Sequence, residues 1–165
     1  VGPTQKLIVC SEASLREASA SSCLGYLKLV VNCVSAGPTA VAAVGSEKPP
    51  LHLSPAVHDW PIQDVFVVND AIDQLQMAIW SALQMGTVAV HGLAERHRAG
   101  CVVGCHFLWR YHRIGQHHLP RDIDAVCRRL FEDDCPVSPT YVGVIEAYRE
   151  HLTQRAWLEL RRLPP

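Results

Sequence analysis

Nine consecutive residues hold the densest set of side chains able to do chemistry: His91-Gly92-Leu93-Ala94-Glu95-Arg96-His97-Arg98-Ala99. They follow an apolar, β-branched run and precede a segment with helical character. A tight turn from strand to helix aims backbone N–H groups at one point, and the helix N-terminus behind it adds the positive end of a dipole. Such a turn is an anion cradle, with Arg96 and Arg98 as cationic partners. Glu95 opposes that use. Two like unit charges about 4 Å apart repel by roughly 4 kcal/mol at an effective dielectric of 20. That equals the whole binding energy of an anion held at ~1 mM, about 4.1 kcal/mol. A Glu95 turned inward closes the cradle and can pair with Arg98; turned outward, it leaves the cradle open.

Other reactive residues carry less. Cys101 falls in the first turn of the following helix, where a thiol pKa can drop. Its place in the run Cys101-Val102-Val103 reads instead as core packing. Cys101, Cys105, His106 and His97 could ligate zinc, but their spacing matches no standard structural site, so no metal and no cofactor is expected. His117-His118 reads as an exposed turn and Arg161-Arg162 as a solvated basic end. Trp157 and Leu160 beside it either pack on the domain or mark a partner surface.

The elements that position these residues alternate in type. Residues 6–10 form a short apolar strand. Residues 11–24 read as a helix capped by Ser11, with Ser14-x-x-Glu17 as a second start and Gly25 at its end. Residues 27–34 are a buried-type strand and 51–53 a short one. Over 65–85, Val68, Ile72, Leu75, Ile79 and Ala82 recur at spacings of three and four, with Gly86 just beyond. Residues 87–91 form another buried strand and 98–112 a central helix apolar on most faces. Residues 120–132 and 139–152 are amphipathic helices, the second capped by Ser138 with Pro139 at its first position. Residues 153–163 either extend that helix or fold back. The loose stretch 36–50 is a surface loop. The pattern predicts one α/β domain over residues 1–165, with a central, mostly parallel sheet flanked by helices. Ligands of such sheets bind outside the strand carboxyl ends, which directs attention to the turn after residue 91.

Composition narrows the function classes. Hydrophobic residues make up 48% and charged residues 19% of the 165, which excludes a disordered tail. The net charge of −1 gives no footprint for nucleic acid or an anionic membrane. No apolar run approaches the roughly 18 residues of a membrane span. Seven scattered cysteines without a C-x-x-C pair point to a reduced, intracellular chain, placed in the cytoplasm.

Around the central turn the sequence resembles the cysteine-based dual-specificity phosphatases. Their signature is a strand ending in Val-His, then Cys-x-x-Gly-x-x-Arg, then Ser or Thr opening a helix. Val90-His91 and Arg98 match its ends, and Ala94 is common inside the loop. Gly92 stands at the nucleophilic Cys, Glu95 at the loop Gly and Ala99 at the Ser/Thr. The family's general acid lies about thirty residues before its nucleophile, and Asp59 fits that spacing, with Asp64 at a second acidic position. Residues 6–34 look like the family's opening strand, helix and strand. Residues 122–152, with Cys135-Pro136, look like its closing helices.

The resemblance implies a dual-specificity-phosphatase-like fold with a degenerate phosphate loop over His91, Gly92, Leu93, Ala94, Glu95, Arg96, His97 and Arg98. In the family a thiolate attacks phosphorus, the Arg and loop amides stabilise the equatorial oxygens, and the Asp protonates the leaving oxygen. Gly92 can form no covalent intermediate, and without a nucleophile Asp59 has no acid to supply. The expectation is a pseudophosphatase acting as a protein-interaction or scaffold module in signalling, its partner a protein, phosphorylated or not. The alternative is a reader of phosphorylated Ser, Thr or Tyr through Arg98 and the loop amides. An enzyme with another nucleophile is a third reading, opposed by Gly92 and Glu95.

Overall fold

The computed structural model describes residues 6–11, 13–15, 17, 27–33, 51–53, 65–92, 96–113 and 139–160. Four strands, β1 (Leu7–Ser11), β2 (Leu27–Asn32), β3 (Leu51–Leu53) and β4 (Thr87–Gly92), form one sheet in the order β1-β4-β2-β3. Every neighbouring pair is parallel. Three long helices accompany them: α1 (Val65–Leu83), α2 (Arg96–Arg113) and α3 (Pro139–Leu160). The α/β architecture with a parallel sheet is the one the sequence pattern predicts. No helix among the described residues is long and apolar enough to cross a membrane.

The β-branched runs of β2 and β4 sit in the middle of the sheet because both of their faces are covered. Val30 and Ala89 pair across the strands and pack with Leu15 and Leu27 on one side. Leu29, Val31, Val88 and Val90 face the other side, in the larger core shared with the three helices. Leu27 and Leu29 are two apart and should share a face. They do not, because the register slips there: Leu27 opposes Thr87 and Leu29 opposes Val88. Lys28 is the extra residue of this irregularity. A one-residue insertion flips the alternation of everything before it.

Residues 13–15 and 17 are helical, and Ser11 caps that start by accepting the Ser14 N–H at 3.1 Å. In α1, Ile72, Leu75, Ile79 and Ala82 are buried as their spacing requires. Its end is closed by the Gly86 N–H on the Ala82 carbonyl at 3.0 Å. Buried residues run around most of α2, from Ala99 to Trp109. Gly104 lets α3 approach α2 closely: a Cβ there would meet Ile145 Cδ1 at 2.9 Å.

Most boundaries shift by one or two residues: β1 is Leu7–Ser11 against 6–10, β2 Leu27–Asn32 against 27–34, α1 Val65–Leu83 against 65–85 and β4 Thr87–Gly92 against 87–91. The second helix begins at Arg96 rather than 98, so Arg96 and His97 belong to its first turn. Polar residues are tolerated there because the first N–H groups have no partner inside the helix anyway. Of the two alternatives for residues 153–163, the structure takes the extension: the last helix runs unbroken to Leu160, and no Gly or Pro interrupts that stretch. The expected helix over 120–132, the loop over 36–50 and the histidines 117 and 118 lie outside the described residues.

Candidate functional site

The carboxyl ends of the parallel strands converge where the sequence pattern placed the site. Ser11 pairs with Gly92 at the ends of β1 and β4. Cys33, just past β2, donates its N–H to the His91 carbonyl at 2.8 Å. Gly92 is the last residue of β4, and α2 opens at Arg96. Leu93, Ala94 and Glu95 lie outside the described residues, as do Asp59 and Asp64.

His91 is fully buried. Strand alternation puts it on the face of Ala89, away from the large helical core. It therefore underpins the end of β4 from the side of Leu15. Ala99 and Cys101, by contrast, lie in the large core at 1% exposure. Cys33 is buried beside them, and that burial, reinforced by the neighbouring Cys101, pushes its thiol up to about 12. A thiol held that firmly protonated is no nucleophile at neutral pH.

Arg98 is anchored. Its Nε donates to the Tyr141 hydroxyl at 2.9 Å, and Nη1 reaches the Cys33 carbonyl at 3.4 Å. Tyr141 lies in the first turn of α3, so this guanidinium ties three elements together: the end of β2, the start of α2 and the start of α3. The sequence reading offers Glu95 as a structural partner for Arg98. The partners found here are a carbonyl past β2 and a phenol 43 residues away. No spacing rule would have picked out Tyr141.

Of the zinc candidates, Cys101, Cys105 and His106 are buried in the interior, and the side chain of His97 lies outside the described residues. His106 is buried, its Nδ1 lying 3.0 Å from Gln76 Oε1. Gln76 Nε2 donates to the Val102 carbonyl at 3.5 Å, which leaves Oε1 as the acceptor and makes His106 Nδ1 the donor. Among the described residues no three His, Cys, Asp or Glu side chains gather as a metal site would require.

A second polar cluster escaped the sequence reading. Asp73, in the middle of α1, accepts the Tyr148 hydroxyl at 2.5 Å, and the His151 Nε2 lies 3.2 Å away. Arg155 Nη1 completes it at 2.9 Å. Tyr148, His151 and Arg155 recur at spacings of three and four on α3, which puts them on one face. Burial and the bond to Asp73 both push the Tyr148 hydroxyl pKa upward. The clue in the sequence was an aspartate between Ile72 and Leu75, at an apolar position of an amphipathic helix.

No protein-family model and no curated protein matches the sequence. Among solved structures, the crystal structure of human DUSP28 matches with a TM-score of 0.55, over 90% of this chain and 94% of that one. The two sequences share 16% identity, so the likeness speaks for the fold alone. The parallel sheet, its flanking helices and that neighbour agree: this chain has a dual-specificity-phosphatase-like fold.

Proposed function

We propose that this chain is a single phosphatase-fold domain without phosphatase activity, serving as a protein-interaction or scaffold module in the cytoplasm. Gly92 carries the reading. By the resemblance to the cysteine-based phosphatases it occupies the nucleophile position, at the carboxyl end of β4, and it offers no atom that could bond to phosphorus. Two further features support it. Arg98 spends its Nε on Tyr141, which removes one arm of a bidentate grip on a phosphoryl group. Glu95 stands where the family has a glycine whose backbone can approach phosphate closely.

The test pairs a binding assay with a turnover assay. Calorimetric titration with tungstate, a phosphate mimic, should show no saturable binding in the millimolar range. Neither the native chain nor Gly92→Cys should hydrolyse an aryl phosphate, since Glu95 still replaces the loop glycine of the family's signature. Saturable tungstate binding that Arg98→Ala abolishes would replace this reading with that of a phospho-residue reader. Turnover by the native chain would overturn the loss of catalysis itself.

A further inference from the structure

The sheet ends on β3 at one side and on β1 at the other. β3 has three residues, too short a template for another strand. β1 has five, Leu7-Ile8-Val9-Cys10-Ser11, with no charge and no proline among them. Among the described residues β1 pairs with β4 alone, so its outer side is open.

The register shows which backbone groups that side offers. The Val88 N–H donates to the Lys6 carbonyl at 2.8 Å, and Val88 stands opposite Leu7. Successive residues of a strand turn their N–H and C=O groups to opposite neighbours. Lys6, Ile8 and Cys10 therefore face β4, and Leu7, Val9 and Ser11 face outward. Side chains alternate between the two faces of the sheet. Ile8 and Cys10 pack on the smaller core and Leu7 on the larger one, but Val9, on the side of Leu7, is 36% exposed. An uncovered apolar side chain and unpaired backbone groups thus coincide at Val9. Native proteins blunt such an edge with a charge, a proline or a bulge, and β1 carries none of these. Its two ends differ in charge: Lys6 directly precedes the strand in sequence and Glu12 directly follows it. Two copies of the strand laid antiparallel bring unlike charges together at each end, and laid parallel they bring like charges together.

We propose that β1 pairs antiparallel with β1 of a second copy of this chain, about a twofold axis through Val9. This register uses all five residues of the strand. Val9 exchanges both backbone hydrogen bonds with Val9 of the second copy, Leu7 faces Ser11, and Ile8 faces Cys10. Every residue that turns its backbone outward then meets another that does the same, and the two four-stranded sheets become continuous. A contact of one short strand buries little area, so the dimer is weak and forms with rising concentration. The pairing stands whether or not the chain is catalytically inactive.

The test follows the whole chain by light scattering from about 10 µM to 1 mM, a span suited to a weak interface, with amide exchange read by NMR at both ends of it. The mass should rise from one copy toward two. Over the same span the amides of Leu7 and Val9 should slow by about tenfold, while those of Ile8 and Cys10, already bonded to β4, should stay as they are. Val9→Lys sets like charges against each other at the axis. It should hold the chain at one copy and leave the unfolding midpoint within the scatter of the native chain. Val9→Pro removes only an outward N–H and should act in the same way. A single-copy mass throughout would overturn the proposal. So would a dimer that survives both variants, since another surface would then form it. Leu7 and Val9 amides that are slow at every concentration in a single-copy chain would overturn it too, because the chain would be covering its own edge.

Discussion

Arg98 Nε and the Tyr141 hydroxyl meet at 2.9 Å, joining the first turn of α2 to the first turn of α3 beside the carboxyl ends of the strands. The hydrogen bond has a charged donor and is partly buried, a setting in which removing the partner costs about 1.5–3 kcal/mol. Tyr141→Phe should therefore lower stability by roughly 1.5 kcal/mol, read from the midpoint of urea unfolding. The same loss should not be repeated when Arg98→Ala is already present. A double-mutant cycle should return a coupling of about 1 kcal/mol or more. Strict additivity would mean that the two groups do not bond in solution.

Asp73 has three donors, and burial rather than charge decides which matters most. Tyr148 is fully buried, so Tyr148→Phe leaves one carboxylate oxygen without its inward donor at a cost of about 2 kcal/mol. Arg155 carries a formal charge but its side chain is 52% exposed. Water replaces it, and Arg155→Ala should cost less than about 1 kcal/mol. A larger loss from Arg155→Ala than from Tyr148→Phe in chemical denaturation would reverse this ranking.

Gly104 and Ile145 mark a close approach of α2 to α3. An Ala at 104 would gain about 1 kcal/mol of helix propensity, yet its Cβ would sit 2.9 Å from Ile145 Cδ1. Ile145 is completely buried and has little room to yield. Overpacking of this kind costs about 1–3 kcal/mol, so Gly104→Ala should be neutral to destabilising on balance. Ile145→Val removes the clashing Cδ1 and leaves Cγ1 at 3.5 Å. In that background Gly104→Ala should become stabilising, a change of sign that thermal unfolding can read.

The elements were legible because their signals are local. Period-four spacing in α1, β-branched runs in β2 and β4, and Gly86 after α1 each depend on residues close in sequence. The strand ends carrying His91 and Gly92 followed from the order of the elements. The faces of β2 were not legible, since the irregularity at Lys28 depends on how β4 pairs with it. Nor was the anchoring of Arg98, which joins residues 43 and 65 apart. The Asp73 cluster was hidden for the same reason: an aspartate at a core position is informative only once Tyr148 and Arg155 are brought to it from another helix.

His106, bonded to Gln76, couples stability to pH. Burial, with the charge of Arg110 as a lesser cause, lowers its pKa from 6.5 to about 4. Its Nδ1 donates to Gln76, and among the described residues nothing bonds Nε2, so the folded protein holds the ring neutral. Above pH 6.5 both folded and unfolded chains carry a neutral ring, and His106 contributes no pH dependence. As the pH falls below 6.5 the unfolded chain takes up the proton first. Stability is then lost until the pH reaches about 4, where the folded form protonates too. A shift of this size corresponds to roughly 3 kcal/mol over the interval. Urea midpoints measured from pH 7 to pH 4 should fall steeply for the native chain and less for His106→Gln, which keeps a polar group near Gln76 but cannot titrate. Because other groups titrate in the same window, the difference between the two curves is the quantity to read. Parallel curves would show that His106 takes up its proton over the same pH range in the folded and unfolded chains.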